Sequence, residues 1–107
     1  MIKIDDDVID SYIRNDESFC LVKQYVILSE ECAELAKAAS KMARKILDNQ
    51  HIDILSMPYA EYDKLRDNIV EEMAHVLVSC RVISKLAGIT DSYIQAKIDE
   101  KLGKRDV

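Results

Sequence analysis

Apolar residues recur at alternating steps of four and three through the first half of the chain: Leu21, Tyr25, Leu28, Cys32, Leu35, Ala39, Met42 and Ile46. That spacing draws one continuous stripe on a helix of about 3.6 residues per turn and predicts a helix over roughly 17–48. Leu65, Ile69, Met73, Val76, Cys80 and Ile83 repeat the pattern. They predict a second long helix over about 60–86. Between the two, "DNQHIDILSMPY" contains helix-poor residues and the single proline, Pro58, and reads as a loop. Ahead of them, "DDDVIDSYIR" predicts a short first helix with Asp5, Asp6 and Asp7 near its positive end, and Asn15 or Asp16 can cap the long helix that follows. Gly88 falls where a C-terminal cap belongs, and Thr90 or Asp91 can open a last helix, "SYIQAKIDEKLGKR".

Composition supports the same reading. In 107 residues there are two glycines, one proline and few aromatics, with 49% hydrophobic and 33% charged residues. No Pro-, Gly- or Ser-rich linker divides the chain, so a single all-α domain over 1–107, a bundle of about four helices, is expected. Long helices in so short a chain leave much apolar surface to cover, which predicts completion of the bundle by homo-oligomerisation as a dimer or tetramer. A net charge of −5 argues against a nucleic acid polymer as partner. Cys20, Cys32 and Cys80 have no CxxC spacing and apolar neighbours, which fits reduced core thiols. The acidic start "MIKIDDDVID" does not resemble a secretory signal, and no apolar run approaches the ~20 residues of a membrane span. A cytoplasmic protein with no membrane partner is expected.

Two acidic phrases change the picture. "EECAE" places Glu30, Glu31 and Glu34 on the first long helix, and "EEMAH" places Glu71, Glu72 and His75 on the second. Taking Leu28 as reference, Glu31 and Glu34 lie about 60° and 120° to one side; taking Ile69, Glu72 and His75 fall at the same offsets. Antiparallel packing along the stripes would bring Glu31, Glu34, Glu72 and His75 together at the margin of the core. Carboxylates there repel one another, and a divalent cation with oxygen ligands would offset that. The plainer alternative is two solvated, glutamate-rich helix faces, since Glu is a strong helix former.

With these motifs the chain resembles the MazG-like, all-α nucleoside triphosphate pyrophosphohydrolase superfamily, marked by EExxE on one helix and ExxD on the next. "EECAE" matches the first motif in full; in the second, Glu72 holds the glutamate position and His75 stands where the family has aspartate. The resemblance spans roughly residues 17–105. It implies metal-dependent hydrolysis of a nucleoside triphosphate to the monophosphate and pyrophosphate, with Mg²⁺, or Mn²⁺, held by Glu31, Glu34, Glu72 and His75. It also implies that Glu30 and Glu31 serve catalysis, Glu30 by orienting water, and that Lys97, Lys101 and Arg105 of the basic terminal segment meet the substrate phosphates. Cations at a helix C-terminus also complement its dipole without any ligand. His75 supplies no negative charge and suits Mn²⁺ or Zn²⁺ better than Mg²⁺. It therefore opens a second reading, a catalytically weakened or inactive nucleotide-binding or scaffold protein of the same fold. No residue identifies a preferred base or sugar.

Overall fold

The structure, a computed structural model, describes residues 2–14, 20–48 and 59–103. It is helical, with no strand among the described residues: α1 (Asp6–Arg14), α2 (Leu21–Asp48), α3 (Tyr59–Ala87) and α4 (Asp91–Lys101). The four expected helices, two read from apolar periodicity and two from charge and capping residues, are all present, each within a few residues of its expected bounds. Asn15, Asp16, His51, Pro58 and Arg105 lie outside the described residues, as does the loop expected between the long helices.

The helix ends follow local chemistry. Asp5 caps α1: its Oδ1 accepts from the backbone N–H of Asp7 at 2.9 Å and of Val8 at 3.2 Å. Gly88 takes a left-handed φ of 68°, and the N–H of Ile89 donates to the carbonyl of Ser84 at 2.9 Å, which closes α3 in a Schellman turn. Thr90 then caps α4, its side chain accepting from Tyr93 N–H at 3.3 Å. An added Cβ at Gly88 would meet nothing within 4 Å, so only the backbone conformation resists substitution. Gly88→Ala is expected to cost about 1 kcal/mol and lower the thermal midpoint by roughly 4–8 °C, measurable by circular dichroism.

α2 and α3 pack antiparallel. Glu31 meets His75 at one level of the pair, and Lys45 meets Glu61 at 3.6 Å further along, so rising numbers on α2 oppose falling numbers on α3. The contact faces differ from the apolar stripes in one respect. Tyr25, Cys32 and Ala39 on α2, with Met73 and Cys80 on α3, are exposed; Gln24, Glu31 and Ala38, with Glu72 and Ser79 opposite, are covered. Both faces are rotated by about 40° toward the acidic side. Each helix has more apolar circumference than one neighbour can cover, and the small side chains of Ala38 and Ser79 are among those the contact buries. The rotation draws Glu31 and Glu72 into the contact and leaves an apolar margin on the other edge.

α1 lies against a different stripe of α3. Ile9 is buried, Val82 is 3% exposed, and Asp6 and Asp10 pair with Lys85 at 3.8 and 3.6 Å. Arg81 joins three helices: its guanidinium bonds Asp91 at the start of α4 and lies 3.7 Å from Asp6 of α1. The bond to Asp91 is the main cause holding that guanidinium in its charged form. α4 itself buries no side chain.

Candidate metal centre

Glu31 comes from the middle of α2, and Glu72 and His75 from the middle of α3. Glu72 and His75 are three apart, so one helical turn places them side by side. The rotated packing then sets Glu31 opposite both. His75 Nδ1 lies 3.2 Å from Glu31 Oε2 and 3.5 Å from Glu72 Oε2. One ligand atom from each of the three residues falls within 4.8 Å of the others. Two ligands of a single ion at about 2.1 Å can stand no more than ~4.2 Å apart, so small rotamer adjustments would let all three bind one ion. The side chains are 28% exposed for Glu31, 17% for Glu72 and 50% for His75. The carboxylates are thus partly desolvated while the imidazole faces solvent.

The donor set fits a divalent cation. Two carboxylates supply a double negative charge that such an ion would neutralise, and an imidazole nitrogen is a ligand for Mn²⁺ and Zn²⁺ as well as for the first-row divalent ions between them. An ion held by these three residues alone would keep coordination positions free for water or another ligand.

The remaining candidates fall outside this group. Glu30 and Glu34 are exposed, and neither joins the three converging residues. Lys97 pairs with Glu100 on its own helix at 3.7 Å and sits 6.0 Å from the ring of Tyr93. Lys101 is exposed at the end of α4. No ion pair between these lysines and the acidic cluster is present among the described residues. Sequence spacing also gave no pointer to Arg81, because its partners Asp6 and Asp91 are brought to it only by the packing of α1 and by the Gly88 turn.

Compared with known proteins, the chain matches no family model, no curated sequence and no solved structure.

Proposed function

We propose that the chain is a divalent-metal-dependent hydrolase that cleaves a nucleoside triphosphate to the monophosphate and pyrophosphate, with its centre at Glu31, Glu72 and His75. The observation that carries this reading is the convergence of those three side chains from two separate helices, at the positions where the resemblance to the MazG-like superfamily puts metal ligands. A bound Mg²⁺ or Mn²⁺ would neutralise phosphate oxygens and acidify a coordinated water. The protein's part is to hold the two carboxylates and the imidazole on facing helices, so that the ligand set is assembled before the ion arrives. Glu30, one position from Glu31 on the solvent side, is the proposed residue for orienting the attacking water, and Lys97 and Lys101 are the proposed phosphate contacts.

A specific observation favours a second reading, a metal-binding protein of weakened catalysis. His75 provides one charge fewer than a carboxylate, and α4 does not bring its lysines to the cluster within the chain. Thermal unfolding with Mg²⁺, Mn²⁺ or Zn²⁺ tests the shared premise. An ion at about 100 times its dissociation constant adds roughly 2.7 kcal/mol, an upward shift of order 10–20 °C for a domain of this size. The shift is expected for the native chain and absent from Glu31→Gln/Glu72→Gln. No shift with any of the three ions would sink the site. His75→Asp is expected to raise the response to Mg²⁺ relative to Zn²⁺. A shift without pyrophosphate release from any nucleoside triphosphate would select the second reading.

A further inference from the structure

The line of side chains on which Glu30 and Glu34 stand continues beyond them. Glu30, Glu34, Lys37, Lys41 and Arg44 follow one another at steps of four and three, so they share one exposed stripe of α2. The stripe changes sign after Glu34: the turn beside Glu31 is acidic, and the two turns after it are basic. Helix geometry sets Lys37 about 9 Å and Lys41 about 15 Å along the axis from Glu31. Side chains lean toward the N-terminus of their helix, which on α2 is the direction of the cluster, so both lysines lean back toward it. Lys37, Lys41 and Arg44 enter no ion pair among the described residues, while Lys45 beside them meets Glu61. Like charges three and four apart repel one another. The helix dipole favours cations only in the last turn, and Lys37 and Lys41 stand well before the end of α2 at Asp48. A hollow of about 240 Å³ lined by Lys41, Arg44, Lys45 and Asp48 opens at this level. On α3, helical angles put Lys64 and Asn68 on the same edge, with Asp67 turned farther outward.

We infer that Lys37 and Lys41 receive the outer phosphates of a metal-bound triphosphate, so that the substrate lies along this edge with its pyrophosphate end toward the C-terminal half of α2. The inference rests on the metal-dependent reading of the cluster and adds two residues and a direction to it. The opposite direction is unsuited to phosphate. There the cations Arg81 and Lys85 are already paired with Asp6, Asp10 and Asp91. Lys23 stands about 12 Å from Glu31 on that side, and the lean of helical side chains carries it away from the cluster. Val78, one turn from His75, borders a hollow of about 470 Å³ whose other apolar walls are Ile4, Val8, Ile9 and Tyr12. Such walls leave a charged oxygen without partners. Lys97 and Lys101, on α4, make no ion pair with the cluster among the described residues. Lys37 and Lys41 belong to the helix that carries Glu31, so helix geometry alone fixes their distance from it. With the ion at one end of the phosphate chain and two ammonium groups at the other, the charge of the departing pyrophosphate is met at both ends.

The test is calorimetric titration of the full chain with inorganic tripolyphosphate in excess Mn²⁺, repeated at rising NaCl. Lys37→Gln/Lys41→Gln is expected to raise the dissociation constant at least about tenfold, the scale of losing charge-assisted bonds to phosphate, and to flatten its salt dependence. Lys37→Arg/Lys41→Arg keeps both charges and should bind within about threefold of the native chain. Lys3→Gln/Lys23→Gln lowers the net charge equally but away from the stripe, and should stay within about twofold. All three variants are expected to keep the rise in melting temperature that Mn²⁺ alone produces, since none alters Glu31, Glu72 or His75. Equal affinity in the native and Lys37→Gln/Lys41→Gln chains overturns the inference and leaves the metal centre standing. So does an equal loss in either control variant, or a native chain that binds Mn²⁺ but not tripolyphosphate. A native chain whose melting temperature no divalent ion raises removes the metal centre itself, and the inference falls with it.

Discussion

Glu72→Gln is expected to lower metal-dependent pyrophosphate release by about 10²–10³-fold, the scale of losing one preorganised electrostatic contact in a catalytic site. Glutamine keeps the shape and the helix propensity of glutamate, so the loss would reflect charge alone. Of the three converging side chains Glu72 is the most covered, at 17% exposure, and its interaction with a cation is the least screened. The comparison with Glu34→Gln separates two arguments. The motif resemblance ranks Glu34 equal to Glu72 as a ligand. The geometry leaves Glu34 exposed and outside the cluster, and so gives it a smaller effect, about tenfold or less. Steady-state pyrophosphate release with saturating Mn²⁺ or Mg²⁺ checks both, with circular dichroism confirming that each variant is folded. Full activity in Glu72→Gln would refute the proposed centre.

The second large effect concerns stability. Ile83→Ala is expected to cost about 2–5 kcal/mol, the range for removing a large aliphatic side chain from a core. Ile83 is 5% exposed and lies where α2 packs on α3, on the turn of α3 whose opposite stripe carries α1. Two interfaces meet at that level, so few neighbours are free to relax into the space left behind. Buried apolar side chains among the described residues are few, namely Ile9, Ala38, Leu65, Val82 and Ile83. The loss is therefore a large share of the ~5–15 kcal/mol that typically separates folded from unfolded chains. Chemical denaturation should show a lowered midpoint with little change in slope. Val70→Ala, exposed on α3, is expected to change the stability of the isolated chain by no more than about 0.5 kcal/mol.

The helices were legible because their signals are local. The four–three recurrence of apolar residues, Gly88 after the third run and Thr90 before the fourth are each properties of a few neighbouring residues, and each appears where spacing put it. The part of the candidate site carried by Glu31, Glu72 and His75 was legible for the same reason, since equal angular offsets on two antiparallel helices bring matching positions together. What spacing did not give was the rotation of the contact. Apolar residues cover more than one side of α2 and of α3, and periodicity alone does not tell which part faces the neighbour. The covered positions include Ala38 and Ser79, small and weak as hydrophobic signals, while Tyr25, Cys32, Met73 and Cys80 stay outside the contact. The rotation also explains why Glu31 and Glu72 are half-covered while Glu34, one turn along on the wetter side, is not. The relation of Lys97 and Lys101 to the cluster depends on where α4 goes after the Gly88 turn, a long-range matter on which their four-residue spacing is silent.

Glu31 and Glu72 stand about forty residues apart along the chain yet face each other across the helix pair. An ion gripped by both would work as a removable clasp, converting an open hairpin into a closed ring. Closing a loop of that length removes conformational freedom chiefly from the unfolded chain. α1 and α4 attach outside the ring, at the far end of α3, so the clasp would tighten the two long helices and leave the short ones to their own caps and ion pairs.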